Sequence, residues 1–216
     1  MESGRSRFEV GLLLSESSAL AIRNWWRVAI ALVVMCAVGV LIDLNAHGGS
    51  WNMLYSLVAI AFQVWLTDAL LKQTGADGSG VRSSAIGVRV SFVTQLGIVF
   101  GLLLFVVPGV IAFVRWSMAL PIALSKGTGV IESIKESWAR SEGHFWPILV
   151  LLMLIYVPAF GGAIGLGIVV ESAMPLTADI VTNLLMVIGL ILGWHVAVAI
   201  FRAGEPRTEA LREVFA

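Results

Sequence analysis

Asp68, Arg115 and His195 are ionisable side chains that stand inside long apolar runs. A charge at the centre of a bilayer costs about 2.5–3.5 kcal/mol on insertion scales, so such residues are functional candidates by default. Arg115 is the only charged residue between positions 90 and 124. It could contact a lipid phosphate or another anionic group. Alternatively it braces the helices through the helix-end carbonyls of a broken hairpin. Arg115 lies six residues after Gly109, about 9 Å along a helix at 1.5 Å per residue. Asp68 lies 17 residues after Trp51, about 25 Å along its own helix. A direct Asp68–Arg115 pair therefore requires a shallow hairpin whose turn stops short of the far surface. His195 lies 15 residues into its run, at a depth similar to Asp68. A His–Asp proton relay is one reading, and a histidine hydrogen-bonded within the bundle is the other.

A second set of reactive groups falls in residues 131–146, IESIKESWARSEGHFW. Ser133, Ser137 and Ser141 are there, with His144 nearby, but no GxSxG elbow frames a nucleophile. His47, His144 and His195 are dispersed and Cys36 is the single cysteine, which leaves no metal-ligand spacing and no intrachain disulfide. Neither a phosphate-cradling loop nor a dinucleotide fingerprint is present. The expectation is a protein without catalytic residues, metal or cofactor. Formal net charge is zero, so no global field points to nucleic acid.

The elements that must position these residues follow from composition. Of 216 residues, 58% are hydrophobic and 13% charged. A soluble domain carries about 25% charged residues and could not hide so much apolar surface. A bilayer core of about 30 Å needs about 20 apolar residues per helix. Runs at 28–44, 51–71, 90–107, 109–124, 145–170 and 180–201 then read as six spans in a single all-α membrane domain. Residues 90–124 are too long for one span, and Pro108–Gly109 divides them into a hairpin. Six spans put both termini on one side. Every Lys and Arg except Arg115 falls on that side, before span one, after span six, or in the 2–3 and 4–5 loops. By the positive-inside rule both termini are cytoplasmic. The first apolar run follows 27 residues that include four arginines, which does not read as a signal peptide.

Two polar stretches flank the spans. In 129–142, Ile131, Ile134 and Trp138 share one face and Glu132, Lys135, Glu136 and Arg140 the other, with Thr128 available as a cap. Residues 7–24 alternate Phe8, Leu12, Leu13, Ala19, Leu20 and Ile22 with Glu9, Ser15, Glu16 and Arg23. Both read as amphipathic helices on the membrane surface, with the lipid bilayer as their partner. Gly97–Gly101, Gly161–Gly165 and Gly189–Gly193 are spaced for close helix crossings. Pro158, Gly161, Gly162, Gly165 and Gly167 fall within ten residues of span five, as a hinge or a close crossing.

Pro108–Gly109 followed by Arg115, then Glu132, Lys135, Ser137 and Trp138 in ESIKESW, then Gly143, Phe145 and Trp146 in GHFW, form one pattern. It resembles the membrane-domain family of glycerophosphoryl diester phosphodiesterases and related six-helix proteins of the bacterial inner membrane. Ser133–Ile134 stands where that family usually has Ala-Leu. The resemblance implies a fold and an inner-membrane location. Some relatives carry a soluble phosphodiesterase domain after the membrane part; 15 residues follow Phe201 here, so no catalytic activity is implied. The expected function is an accessory or scaffold component of a membrane or envelope complex, with a membrane-protein partner or a second copy. The alternative is a lipid-handling or small-molecule transport protein using the Pro108–Gly109 hairpin and Arg115.

Overall fold

The computed structural model describes residues 8–45, 50–75, 80–170 and 174–205. Arg5, Arg7, His47, Arg207 and Arg212 lie outside them. The described residues form nine α-helices and no strand: α1 Val10–Arg23, α2 Trp25–Asn45, α3 Ser50–Gln73, α4 Gly80–Leu104, α5 Val106–Arg115, α6 Ala119–Lys126, α7 Val130–Arg140, α8 Phe145–Val170 and α9 Pro175–Ala203. Six stretches are long and apolar enough to cross a membrane, α5 and α6 together making the fourth. This is the architecture of a multi-pass membrane protein.

α9 is the central helix, packed by α8, α2, α1, α3 and α6. Towards its C-terminal end Trp194, Val196, Val198, Ala199, Ile200 and Phe201 are buried in the bundle. Before that the stripe Ile180, Leu184, Ile188 and Leu192 is exposed, one residue per helical turn. A helix apolar all round with one exposed stripe suits a span that faces protein on one side and lipid on the other. Packing is densest at the end where α1, α6 and α7 gather. The opposite end is open: residues 102–107 at the α4–α5 tip are all exposed.

The chain breaks before the fourth span and again inside it, neither time at the expected Pro108–Gly109 hairpin, for one reason. Proline removes its own donor and its ring clashes with the carbonyl four residues earlier. Pro108 acts on Leu104, so α4 ends there and only Phe105 leaves helical geometry, at φ −155° and ψ 129°. Pro108 itself sits in the first turn of α5, where an N–H has no helical acceptor anyway. Pro121 acts the same way on Ser117. The expected helix 109–124 is therefore two helices, broken at Trp116–Met118.

α1 meets α2 at a single residue, Asn24, which is fully buried. Its amide exchanges two hydrogen bonds with Gln73 at the end of α3, at 2.8 and 2.6 Å, and accepts a third from Arg27 at 3.0 Å. α1 buries Leu13, Ser17 and Leu20 against α9 and α8, while Leu12 and Ile22 stay exposed. Glu16 pairs with Arg202, and Phe8 stacks on His144 with ring centroids 3.9 Å apart.

The glycines of the spans are used unevenly. A Cβ on Gly101 would meet the Cα of Gly109 at 2.9 Å, so the α4–α5 hairpin closes backbone on backbone. Gly189 lies against Ala159 and Gly193 against the Tyr156 ring. Gly161 and Gly165 have nothing within 4 Å, so that pair forms no crossing, and α8 runs unbroken through Pro158. Gly101→Ala should therefore destabilise the protein by about 1–3 kcal/mol through overpacking. Gly161→Ala should stay within about 0.5 kcal/mol of the parent. Thermal unfolding in detergent reads both.

Candidate functional site

Arg115 occupies the last position of α5, where the chain breaks. In an unbroken helix its carbonyl would accept from Ala119, but that N–H turns to Trp116 at 3.0 Å. The freed Arg115 carbonyl accepts instead from the Ser137 hydroxyl on α7, at 2.6 Å. Ser117 likewise turns its hydroxyl back to the Val114 carbonyl at 2.8 Å. The α7 face turned to this break is the stripe Ser133, Ser137 and Ser141, all three fully buried and one helical turn apart. Ile131 and Trp138, off that stripe, are exposed. Small hydroxyl side chains let α7 approach α6 closely while satisfying the backbone that the break releases.

The Arg115 side chain then closes the other end of α7. Its guanidinium lies 5.2 Å from the Trp138 ring and 5.8 Å from the Phe145 ring. One nitrogen donates long hydrogen bonds, 3.4 Å each, to the Trp138 carbonyl and the Ser141 hydroxyl. A cation at a helix C-terminus is favoured by the unpaired carbonyls there. So the carbonyls that hold Arg115 are those of α7, not those of the hairpin. Of the motif residues, Ser137, Trp138 and Phe145 converge on Arg115. Gly109 closes the hairpin, and Gly143 at φ +78° lets the chain turn from α7 into α8. Glu132 and Lys135 are exposed on α7, and Trp146 is exposed at the start of α8. Thr128 does not cap α7; Gly129 holds that place, and the Thr128 hydroxyl pairs with Ser133 at 2.9 Å.

Asp68 and His195 do not join Arg115. Asp68 pairs with Lys72 one turn along α3, at 2.6 Å. Both line a groove of about 390 Å³ with Arg27, Trp65, Ala69 and Gln73. His195 is fully buried, and its Nδ1 is 2.7 Å from the Ile191 carbonyl. A carbonyl only accepts, so Nδ1 carries the proton and Nε2 is a bare acceptor, buried without a partner. Neither the shallow-hairpin ion pair nor the His–Asp relay forms: Asp68 and His195 each have a nearer partner on their own helix, and Arg115 is held at the end of α7.

The structure instead opens a cavity of about 440 Å³ among α3, α4, α5, α8 and α9, at the level of the spans. Gln63 and Gln95 face each other across it, the Gln95 amide donating to Gln63 at 3.0 Å. Tyr55, Thr94, Trp116 and Tyr156 also line it, and the Trp116 indole nitrogen is buried without a partner. Trp116 sits at the α5–α6 break with its ring flush against Gly97, where a Cβ would meet it at 2.5 Å. No lining residue is Asp, Glu, Lys, Arg or His. Ser56 and Val99 are exposed, so the cavity opens on the lipid-facing surface. Sequence reasoning passed over this site because it followed charge. The available signal was two uncharged amides, Gln63 and Gln95, placed inside the second and third spans. Among the described residues no group of three or more His, Cys, Asp or Glu could hold a metal.

No family model, curated protein or solved structure matches the chain.

Two predictions follow from the α6–α7 contact. Ser137→Ala leaves a kink carbonyl without a donor and should cost about 1–3 kcal/mol, with faster hydrogen exchange across residues 116–119 and 130–141. The second concerns Glu136, which bridges Lys126 at 2.5 Å and Arg140 at 2.6 Å. Burial alone raises its pKa, but the Lys126 hydrogen bond and the Arg140 charge outweigh that and hold it below its usual 4.5. A lowered folded pKa gives stability that is present above 4.5 and lost as pH falls through the folded value. Acidification below 4.5 should loosen α7 in the parent and not in Glu136→Gln, read by exchange at 130–140.

Proposed function

We propose that the chain is a non-enzymatic, multi-pass protein of the bacterial inner membrane that holds an amphiphilic molecule between its spans. The cavity carries this reading. A site of about 300–1,000 Å³ with an apolar lining and a few placed polar groups is typical for small ligands, and this one opens to lipid rather than to water. Arg115, the expected contact of a lipid-handling protein, is held by α7 and lines no part of the cavity. The ligand reading thus moves from Arg115 to Gln63, Gln95 and Trp116.

The placement rests on further observations. The bias of Lys and Arg supports cytoplasmic termini. Exposed Ile131 and Trp138 on α7, beside exposed Glu132 and Lys135, support a helix at the membrane surface. Exposed Leu12, Ile22, Trp25 and Trp26 support the same for α1 and its entry into α2. The convergence of Ser137, Trp138 and Phe145 on Arg115 gives the phosphodiesterase membrane-domain resemblance a physical content, since those motif residues build one junction. The accessory-subunit reading draws on the polar end of the bundle, where α1, α6 and α7 present a surface separate from the cavity. A stoichiometric protein partner in native membranes would favour it.

Native mass spectrometry after gentle extraction tests the reading. A lipid should remain at one copy per chain in the parent and in Arg115→Leu, and be lost in Ala59→Phe, which fills the cavity from α3. A lipid lost in Arg115→Leu and kept in Ala59→Phe would refute the cavity as its site.

A further inference from the structure

We infer that the cavity takes a lipid whose head is uncharged and carries a hydroxyl group, as in a diacylglycerol or a long-chain alcohol. The inference rests on the cavity reading above and narrows it to one head-group chemistry.

The first argument is what the wall lacks. A phosphate or carboxylate moved out of water needs a cation or several charge-assisted donors. No lysine, arginine or histidine lines this cavity. Arg115, on the neighbouring turn, is already held by the end of α7 and the Trp138 and Phe145 rings. An ammonium head fares no better, because no carboxylate lines the wall either.

The second argument is what the wall offers. Gln63 and Gln95 share one hydrogen bond. That leaves the Gln63 amide nitrogen able to donate and the Gln95 carbonyl oxygen able to accept. Trp116 adds a buried indole N–H with no partner. The Ser117 hydroxyl gives its proton to Val114, so its oxygen remains an acceptor. Donors and acceptors stand together, which suits a group that both donates and accepts. A hydroxyl does so without charge. A ketone only accepts, and would leave the Gln95 and Ser117 oxygens unanswered.

The third argument is shape. Phe113, Leu152, Phe160 and Leu190 give the rest of the wall an apolar surface for chain methylenes. At about 440 Å³ the cavity takes a glycerol-sized head and the first part of its chains. The chains leave past exposed Ser56 and Val99 into the bilayer.

The test uses the full chain in detergent, stripped of lipid and offered equal amounts of dioleoylglycerol and dioleoylphosphatidylglycerol. The two share their tails and differ in the head. Native mass spectrometry should show a dioleoylglycerol adduct that the anionic lipid does not displace. Gln63→Leu with Gln95→Leu removes two neutral hydrogen bonds to the ligand and should weaken retention about tenfold; it also removes the bond between the two amides, so the variant's thermal unfolding is compared with the parent's. Preference for the anionic lipid would overturn the uncharged-head inference while leaving the cavity reading in place. A dioleoylglycerol adduct equally strong in the glutamine double variant and in Ala59→Phe would mark surface binding and overturn both. Absence of both lipids from the parent would overturn both as well.

Discussion

A carbonyl oxygen of Arg115 that has lost its helical donor sets the terms for much of this fold. Within hydrocarbon no water replaces a missing partner, and each unsatisfied backbone group costs several kcal/mol. Pro121 removes one donor and forces the chain to turn at Trp116–Met118. The turn redirects the Ala119 N–H to Trp116 and strands the Arg115 carbonyl. Ser137 answers it from another helix. That bond ties α7 to the break, and with it the register of Ser133, Ser137 and Ser141 along α6. A fourth span broken near its middle is tolerable only with such a donor beside it.

The same break accounts for features at the level of the spans. Trp116, first residue past α5, leaves the helical path and its ring packs against Gly97 of α4. Gly101 and Gly109 close the hairpin tip backbone to backbone, so α4 and α5 remain in contact above the turn. Between the closed tip and the redirected α6, the helices α3, α8 and α9 leave space that apolar side chains do not fill. Gln63 and Gln95 reach across it and pair with each other. Two amides with one mutual bond are only partly satisfied, which is a costly state for a site that serves only packing. The partial satisfaction is what makes the cavity readable as a binding site.

Most of the fold was legible in the sequence, because long apolar runs in a chain with few charges leave little choice of solvent. The six spans and the helical character of 129–142 and 7–24 follow from counting and periodicity. The breaks were misplaced because the eye stops at the proline, while the steric consequence falls four residues upstream. Pro108 drew notice through its neighbour Gly109; Pro121, flanked by Leu120 and Ile122, drew none. The serine stripe of α7 went unread for a related reason. Ile131 and Trp138 mark the apolar side of the helix, yet the buried side is the serine stripe, because what α7 covers is a backbone in need of donors. Contacts such as Asn24 with Gln73 join residues 49 apart in sequence, and no local pattern encodes them.

The division of polar groups argues for two separate tasks. Charged side chains collect where α1, α6, α7 and the ends of α3 and α9 meet, and there they pair: Glu16 with Arg202, Asp68 with Lys72, Glu136 with Lys126 and Arg140. Each pair uses up the charge that would otherwise suggest chemistry. Arg115 belongs to this group although its position in the sequence is intramembrane, since its side chain reaches the end of α7. Single nitrogens of Arg115 and Arg140 also lack a hydrogen-bond partner, but both guanidinium groups are held by other contacts; the uncharged groups with unused capacity, Trp116 among them, lie deeper in the bundle. In a bilayer an unpaired charge is too costly to keep idle, so charges are consumed in holding the fold together. An unpaired amide or indole costs less, and can wait for a ligand. The residues to weigh for function in such a chain are therefore the neutral polar side chains that the fold leaves half-satisfied, rather than the ionisable ones that first attract attention.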